Sequence, residues 1–86
     1  MTVTLSSPLR SYTGRQAQVD ADGATLRELL ADLDRRYPGI RFRMITEQDA
    51  IREHIRIFVN RERVLSLDAP LKHSDMIQII TSISGG

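Results

Sequence analysis

Apolar residues in this chain repeat with two different periods, and the change from one to the other marks its elements. Between Thr2 and Ser6, Val3 and Leu5 alternate with polar residues, which predicts a half-buried strand. Ser6-Ser7-Pro8 breaks it, and Arg10 to Arg15 reads as a turn around Thr13-Gly14. Ala17 and Val19 restore the alternation from Gln16 to Asp20, so a second strand and a hairpin are expected. The spacing then lengthens. Leu26, Leu29, Leu30, Leu33 and Tyr37 recur at helical intervals and form one apolar stripe. Thr25-Leu26-Arg27-Glu28 is a capping box at its start, because the threonine hydroxyl and the glutamate carboxylate can satisfy N–H groups that a first helical turn leaves free. Asp32, Asp34, Arg35 and Arg36 fall on the other face, the two arginines near the end where the helix dipole favours cations. Pro38-Gly39 stops the helix. A helix this short is marginal alone, so its leucines must rest on a sheet.

After the helix the pattern weakens. Ile40, Phe42, Met44 and Ile45 predict a short helical turn, and Thr46-Glu47-Gln48-Asp49 an exposed loop. Residues 40–53 otherwise carry no clear period. Ile55, Ile57 and Val59 alternate in a third strand, with Phe58 on its opposite face. Asn60-Arg61-Glu62-Arg63 opens as a turn and leads to a short strand from Val64 to Leu67. Pro70 and the polar run Lys72-His73-Ser74-Asp75 punctuate before a last strand, Met76 to Ile83. Its β-branched residues Ile77, Ile79, Ile80, Thr81 and Ile83 predict a central position. The order is hairpin, helix, strand, short strand, strand. It implies an α+β fold, a mixed four- to five-stranded sheet with one main helix across one face, the β-grasp arrangement.

With 86 residues and no internal repeat, the chain is expected to be a single domain, 1–86. It has no cysteine, which excludes disulfides, thiolate metal sites and a cysteine nucleophile, and fits a reducing cytoplasm. MTVTLSSPLRSYTG has no continuous apolar stretch, and no segment approaches the length of a membrane span, so neither a secretory leader nor a membrane partner is expected. Twelve basic residues balance eleven acids, and Lys72 is the only lysine. The arginines are scattered, with two tyrosines, two phenylalanines and no tryptophan, so no nucleic-acid partner is expected either.

Residues suited to catalysis are poorly arranged. His54 and His73 lack the spacing of a metal pair. Ser6, Ser7, Ser11 and Ser66 lack the glycine-flanked setting of an activated nucleophile. No glycine-rich loop precedes a helix, and Asp32 and Asp34 sit on what should be a solvated helix face. Neither a stand-alone active site nor a cofactor site in the chain is expected. The informative feature is the ending, Ile80-Thr81-Ser82-Ile83-Ser84-Gly85-Gly86. A strand running almost to it predicts a tail, about residues 82–86, that projects and reaches on the order of 16 Å when extended. Two residues without Cβ can enter a narrow channel and leave the last carbonyl unshielded.

Taken together, these segments resemble one family. Leu9-Arg10 after the first strand, Thr25-Leu26-Arg27-Glu28-Leu29-Leu30 opening the helix, and Phe58-Val59-Asn60 before the hairpin are its marks. Leu71 with Asp75, and Ile83-Ser84-Gly85-Gly86, complete them. The chain resembles the molybdopterin synthase small subunit and the thiamin sulfur carrier, ubiquitin-like β-grasp proteins. It departs from the family at Ser74, where glycine is common, and at Ser82, where proline is frequent.

The resemblance implies a sulfur carrier rather than an enzyme. A partner related to the ubiquitin activators (an E1-like adenylyltransferase/sulfurtransferase, binding ATP and Mg) would adenylate Gly86, and sulfide would displace AMP to leave a thiocarboxylate. A downstream synthase would take that sulfur for molybdopterin, cysteine or homocysteine, or a thio-metabolite. Gly85 and Ser84 would form the tail behind Gly86. Docking would use an apolar sheet face bearing Ile80, with Val64 and Ile83 as weaker choices and Arg61 and Arg63 as a charged rim; the alternative is that all three apolar residues simply fill the core. Two other readings stay open: a protein modifier conjugated through Gly86, and a non-covalent β-grasp adaptor.

Overall fold

The alternation of apolar residues becomes five strands, and the helical stripe becomes one helix laid across them. The structure, a computed structural model, describes residues 1–82. Strand β1 (Thr2–Leu5) pairs antiparallel with β2 (Gln18–Asp20) and parallel with β5 (Met76–Thr81). On the far side of β5, β3 (Ile55–Val59) pairs antiparallel and carries β4 (Glu62–Val64) beyond it. The sheet order is therefore β2-β1-β5-β3-β4, with the most β-branched strand at the centre. This is the mixed β-grasp sheet that the element order predicts.

Helix α1 (Leu26–Arg36) buries Leu26, Leu29, Leu30 and Leu33 against Val3, Leu5, Ile57, Ile77 and Ile79 of the sheet's inner face, all in one core. The threonine half of its capping box forms, the Glu28 N–H donating to Thr25 Oγ1 at 3.3 Å, while the Glu28 carboxylate accepts from the Thr25 hydroxyl at 3.5 Å instead of from a backbone N–H. The Leu26 and Arg27 N–H groups, which no capping side chain reaches, donate to the carbonyls of Ala69 and Leu67. At the other end Gly39 takes φ 98°, a left-handed conformation open to glycine. Asp34 then accepts from the Gly39 and Arg41 N–H groups and starts α2 (Ile40–Met44), so it organises a turn rather than standing on a merely solvated face. Asp32 likewise accepts from the Asp22 N–H at 2.9 Å and pairs with Arg36.

Three boundaries differ from the sequence expectation. The segment after β1 is a 3₁₀ helix, Ser7–Tyr12, with Pro8 in its first turn and Leu9 buried beneath it. The turn at Gly14-Arg15 (φ 62° and 70°) follows it, and Gln16 is committed to that turn through Thr13, which delays β2 to Gln18. Strand β4 is Glu62–Val64 rather than Val64–Leu67. Asn60 and Arg61 both adopt positive φ (51° and 71°), a two-residue hairpin turn that puts Glu62 opposite Val59 and Val64 opposite Ile57. Leu65, 75% exposed, has already left the sheet. Strand β5 ends at Thr81, and the Ser82 N–H still donates to the His54 carbonyl at 2.7 Å in the register of the β3–β5 ladder; Ile83 lies outside the described residues.

Candidate functional site

The parity of β5 decides what faces a partner. Ile77 and Ile79 point into the core, so Met76, Gln78 and Ile80 lie on the face away from the helix. Ile80 is 40% exposed and stands opposite Arg56 of β3. Next along the sheet, Phe58 stands opposite both Gln78 and Arg63. Ile80 and Phe58 thus share one outer face, bordered by Arg56 and Arg63. Val64 does not belong to it. It stands opposite Ile57 and packs against the core from the helix side, so the expected grouping of Val64 with Ile80 is corrected by the register that the Asn60-Arg61 turn imposes. Arg61 sits in that turn, near the start of β5 rather than its end.

At the end of β5 the chain is clasped from both sides. The Thr81 N–H donates to Ser6 Oγ at 2.8 Å, and the Ser6 N–H donates to the Ile79 carbonyl at 3.0 Å. On the β3 side the Ser82 N–H donates to the His54 carbonyl, as does its hydroxyl at 3.3 Å. The anchoring therefore extends to Ser82. The predicted site residues Ile83, Ser84, Gly85 and Gly86 lie outside the described residues.

Beside this exit is an open cleft of about 540 Å³ lined by Pro8, Leu9, Phe42, Arg52, His54 and Thr81, with Arg43 and Glu53 at its charged edge. Phe42 is 57% exposed, and the Arg52 guanidinium lies 4.7 Å from its ring centroid while Arg52 Nε donates to the Phe42 carbonyl at 2.7 Å. The loop that carries Arg52 is pinned from behind. Asp49 accepts from Arg27 at 3.1 Å and Arg41 at 3.0 Å, and hydrogen bonds from Arg41 and then Arg27 hold its carboxyl below the usual carboxylate range. Phe42, Arg43, Arg52, Arg56 and Phe58 have no signature in the sequence as site residues. The one available hint was parity, since Arg56 and Phe58 alternate with buried Ile55 and Ile57.

His54 and His73 are both exposed, and they do not converge: His54 is at the exit and His73 in the loop before β5. No group of three or more His, Asp or Glu side chains among the described residues is placed to hold a metal ion. No helix among them is long and apolar enough to cross a membrane.

Comparison with known proteins bears on this geometry. The sequence pattern of the ThiS family matches residues 3–86. The sulfur carrier protein CysO of Mycobacterium tuberculosis is 34% identical over 93 aligned residues, covering 100% of each chain. Its crystal structure superposes with a TM-score of 0.90 over 95% of this chain and 98% of that one. A chain of the Amycolatopsis orientalis BexX/CysO complex reaches 0.91 at 34% identity, over 99% and 98% of the two chains. SAMP1 of Haloferax volcanii gives 0.79 at 27% identity, over 100% and 98%.

Proposed function

The chain belongs to the ThiS family, and from that membership we propose that it is a sulfur carrier whose acyl site is the carboxylate of Gly86. The observation that carries this reading is the full-length match to the CysO sulfur carrier, 34% identical over 100% of both chains. The sequence supports it at the reacting position, where two residues separate Gly85-Gly86 from the anchored Ser82.

The chemistry explains why the carrier needs a partner. A carboxylate repels nucleophiles and has no usable leaving group. On an E1-like adenylyltransferase with ATP and Mg, a Gly86 carboxylate oxygen attacks the α-phosphorus and pyrophosphate departs, leaving an acyl-adenylate. Sulfide adds to the acyl carbon, AMP leaves, and a thiocarboxylate remains. Its nucleophilic sulfur is passed to a small acceptor on a second enzyme. ATP chemistry and transfer belong to the partners; the chain contributes the acyl group, the reach and the docking face around Ile80. The A. orientalis CysO was crystallised with BexX, which supports protein partners for a chain of this kind. The cytoplasm, where ATP and the activating enzyme meet the carrier, is the compartment this reading requires.

The test is direct. The chain is incubated with the adenylyltransferase of its own organism, ATP and sulfide, and its intact mass is read. Exchange of one oxygen for one sulfur is the expected result; an unchanged mass with an activator shown to be competent on another carrier overturns the reading. A second reading, a modifier conjugated through Gly86, draws on the likeness to SAMP1, a small archaeal modifier protein. It predicts covalent conjugates in extract, which a pure carrier does not form.

A further inference from the structure

Among the described residues four of the eleven arginines pair with carboxylates, and seven (Arg10, Arg15, Arg43, Arg52, Arg56, Arg61 and Arg63) do not; of these seven, Arg43 and Arg52 line one cleft. Arg27, Arg35, Arg36 and Arg41 pair with carboxylates. Arg43 and Arg52, beside the exit of β5, pair with no carboxylate among the described residues, and Glu53 is the only acid lining the cleft they share. Arg52 is also held ready: one nitrogen is bonded to the Phe42 carbonyl, and the guanidinium plane is supported by the Phe42 ring. The apolar residues lining the cleft floor are Pro8, Leu9 and Ile55, the last two themselves buried, and Phe42 is left 57% exposed. At its edge Thr81 Oγ1 is buried with no hydrogen-bond partner among the described residues, next to the anchored Ser82.

We infer that this cleft seats an acidic segment of the enzyme that activates Gly86, its carboxylates meeting Arg43 and Arg52 and an apolar side chain resting on Phe42. This inference rests on the sulfur-carrier reading. Charge complementarity names the chemistry of the occupant: two guanidiniums in one cleft, neither paired with a carboxylate among the described residues, call for carboxylates. The apolar floor argues for a protein segment, because a free anion such as a phosphate would leave Phe42 and the floor uncovered. Position names which protein. The cleft borders the last anchored residue, so an enzyme that grips the chain beyond Ser82 must cover it. The site is distinct from the outer sheet face of Ile80 and Phe58, since Phe42, Arg43 and Arg52 come from α2 and the loop before β3.

The experiment measures steady-state thiocarboxylate formation with the organism's adenylyltransferase, ATP and sulfide, varying the carrier concentration and the salt. Arg43→Glu with Arg52→Glu is expected to raise KM for the carrier about tenfold or more, with kcat nearly unchanged, and to flatten the rise of KM with salt seen for the parent chain. Arg43→Glu alone, at an exposed side chain that holds nothing in the fold, should give a smaller rise of the same kind. Lys72→Glu, which reverses a charge at the far end of β5, should leave KM within about twofold. KM and salt dependence unchanged in both arginine variants, while the parent chain is converted, overturn this inference and leave the sulfur-carrier reading standing. A parent chain that gains no sulfur overturns both. Self-association of the parent chain that the same variants abolish would put a second copy in the cleft and also overturn it.

Discussion

The two ends of strand β5 are built on opposite plans. At its start, the polar groups are bonded to one another. The Met76 N–H donates to Asn60 Oδ1 and the Asn60 N–H to the Met76 carbonyl, both at 2.9 Å. Asn60 Nδ2 donates to Asp75, whose other oxygen accepts from the Lys72 N–H at 2.7 Å. At its end the backbone is clasped just as firmly by Ser6 and His54, but the arginines beside it are left without charged partners. Among the described residues Arg43 and Arg52 face no carboxylate and Thr81 Oγ1 has no hydrogen-bond partner, and Phe42 and Ile80 are exposed. A group satisfied within the fold has nothing to offer a partner, whereas an unsatisfied one does. One end of the strand holds the fold, and the other presents it.

The largest effect should come from cutting beyond the presenting end. Deleting Gly85 and Gly86 is expected to abolish sulfur incorporation while the melting temperature stays within a degree or two, about the scatter of surface changes. Among the described residues the buried core lies between Val3 and Ile79. A variant that still gains sulfur would end the assignment of Gly86; one that melts much earlier would show that the tail holds the fold after all.

Two adjacent residues sharpen the contrast further. Ile79 is fully buried against α1 and Ile80 is on the outer face. Ile79→Ala should cost about 2–5 kcal/mol in chemical denaturation, for lost burial and the cavity it leaves. Ile80→Asp should change stability little and raise KM for the carrier about tenfold, the effect of losing an apolar anchor at an interface centre. If Ile80→Asp destabilised as much as Ile79→Ala with KM unchanged, Ile80 would be a packing residue and the outer face would lose its centre.

What could be read from the chain follows the same division. Strand alternation, the capping box at Thr25 and the leucine stripe of α1 are local patterns with local causes, and they gave the β-grasp order directly. Gly85-Gly86 was legible for the same reason, since its meaning lies in two adjacent residues. The 3₁₀ helix at Ser7–Tyr12 was read as a break at Ser6-Ser7-Pro8 and a turn from Arg10 to Arg15, because its one buried residue, Leu9, gives no period to see. The face of Val64 was misread because it depends on the positive φ of Asn60 and Arg61, and a shift of one residue in that turn reverses every side chain of β4. The cleft beside the exit could not be seen at all. It joins residues 8, 42, 52 and 81, which only the packing of α2 on the 3₁₀ helix, and of that helix on β5, brings together.

The smallest effect tests the holding end through pH. The Lys72 N–H, and after it Asn60 Nδ2, donate to Asp75 and favour its ionised form, so its carboxyl titrates below the ordinary value of 3.8. A carboxyl depressed in the folded state adds stability that is complete above its unfolded pKa and is lost as pH falls through the folded one. Asp75→Asn removes that titration. The parent chain should therefore melt above the variant at about pH 7, and the gap should narrow below about pH 4, where Asp75 takes up its proton. Asp32 and Asp49 are depressed as well, so the variant should still weaken in acid, only less steeply. Melting curves of both chains across that range read the gap, and a gap that does not change with pH would mean the corner is held by geometry rather than by charge. Sulfur incorporation at neutral pH should be the same in both chains, because Asp75 lies at the end of β5 that no partner needs to grip.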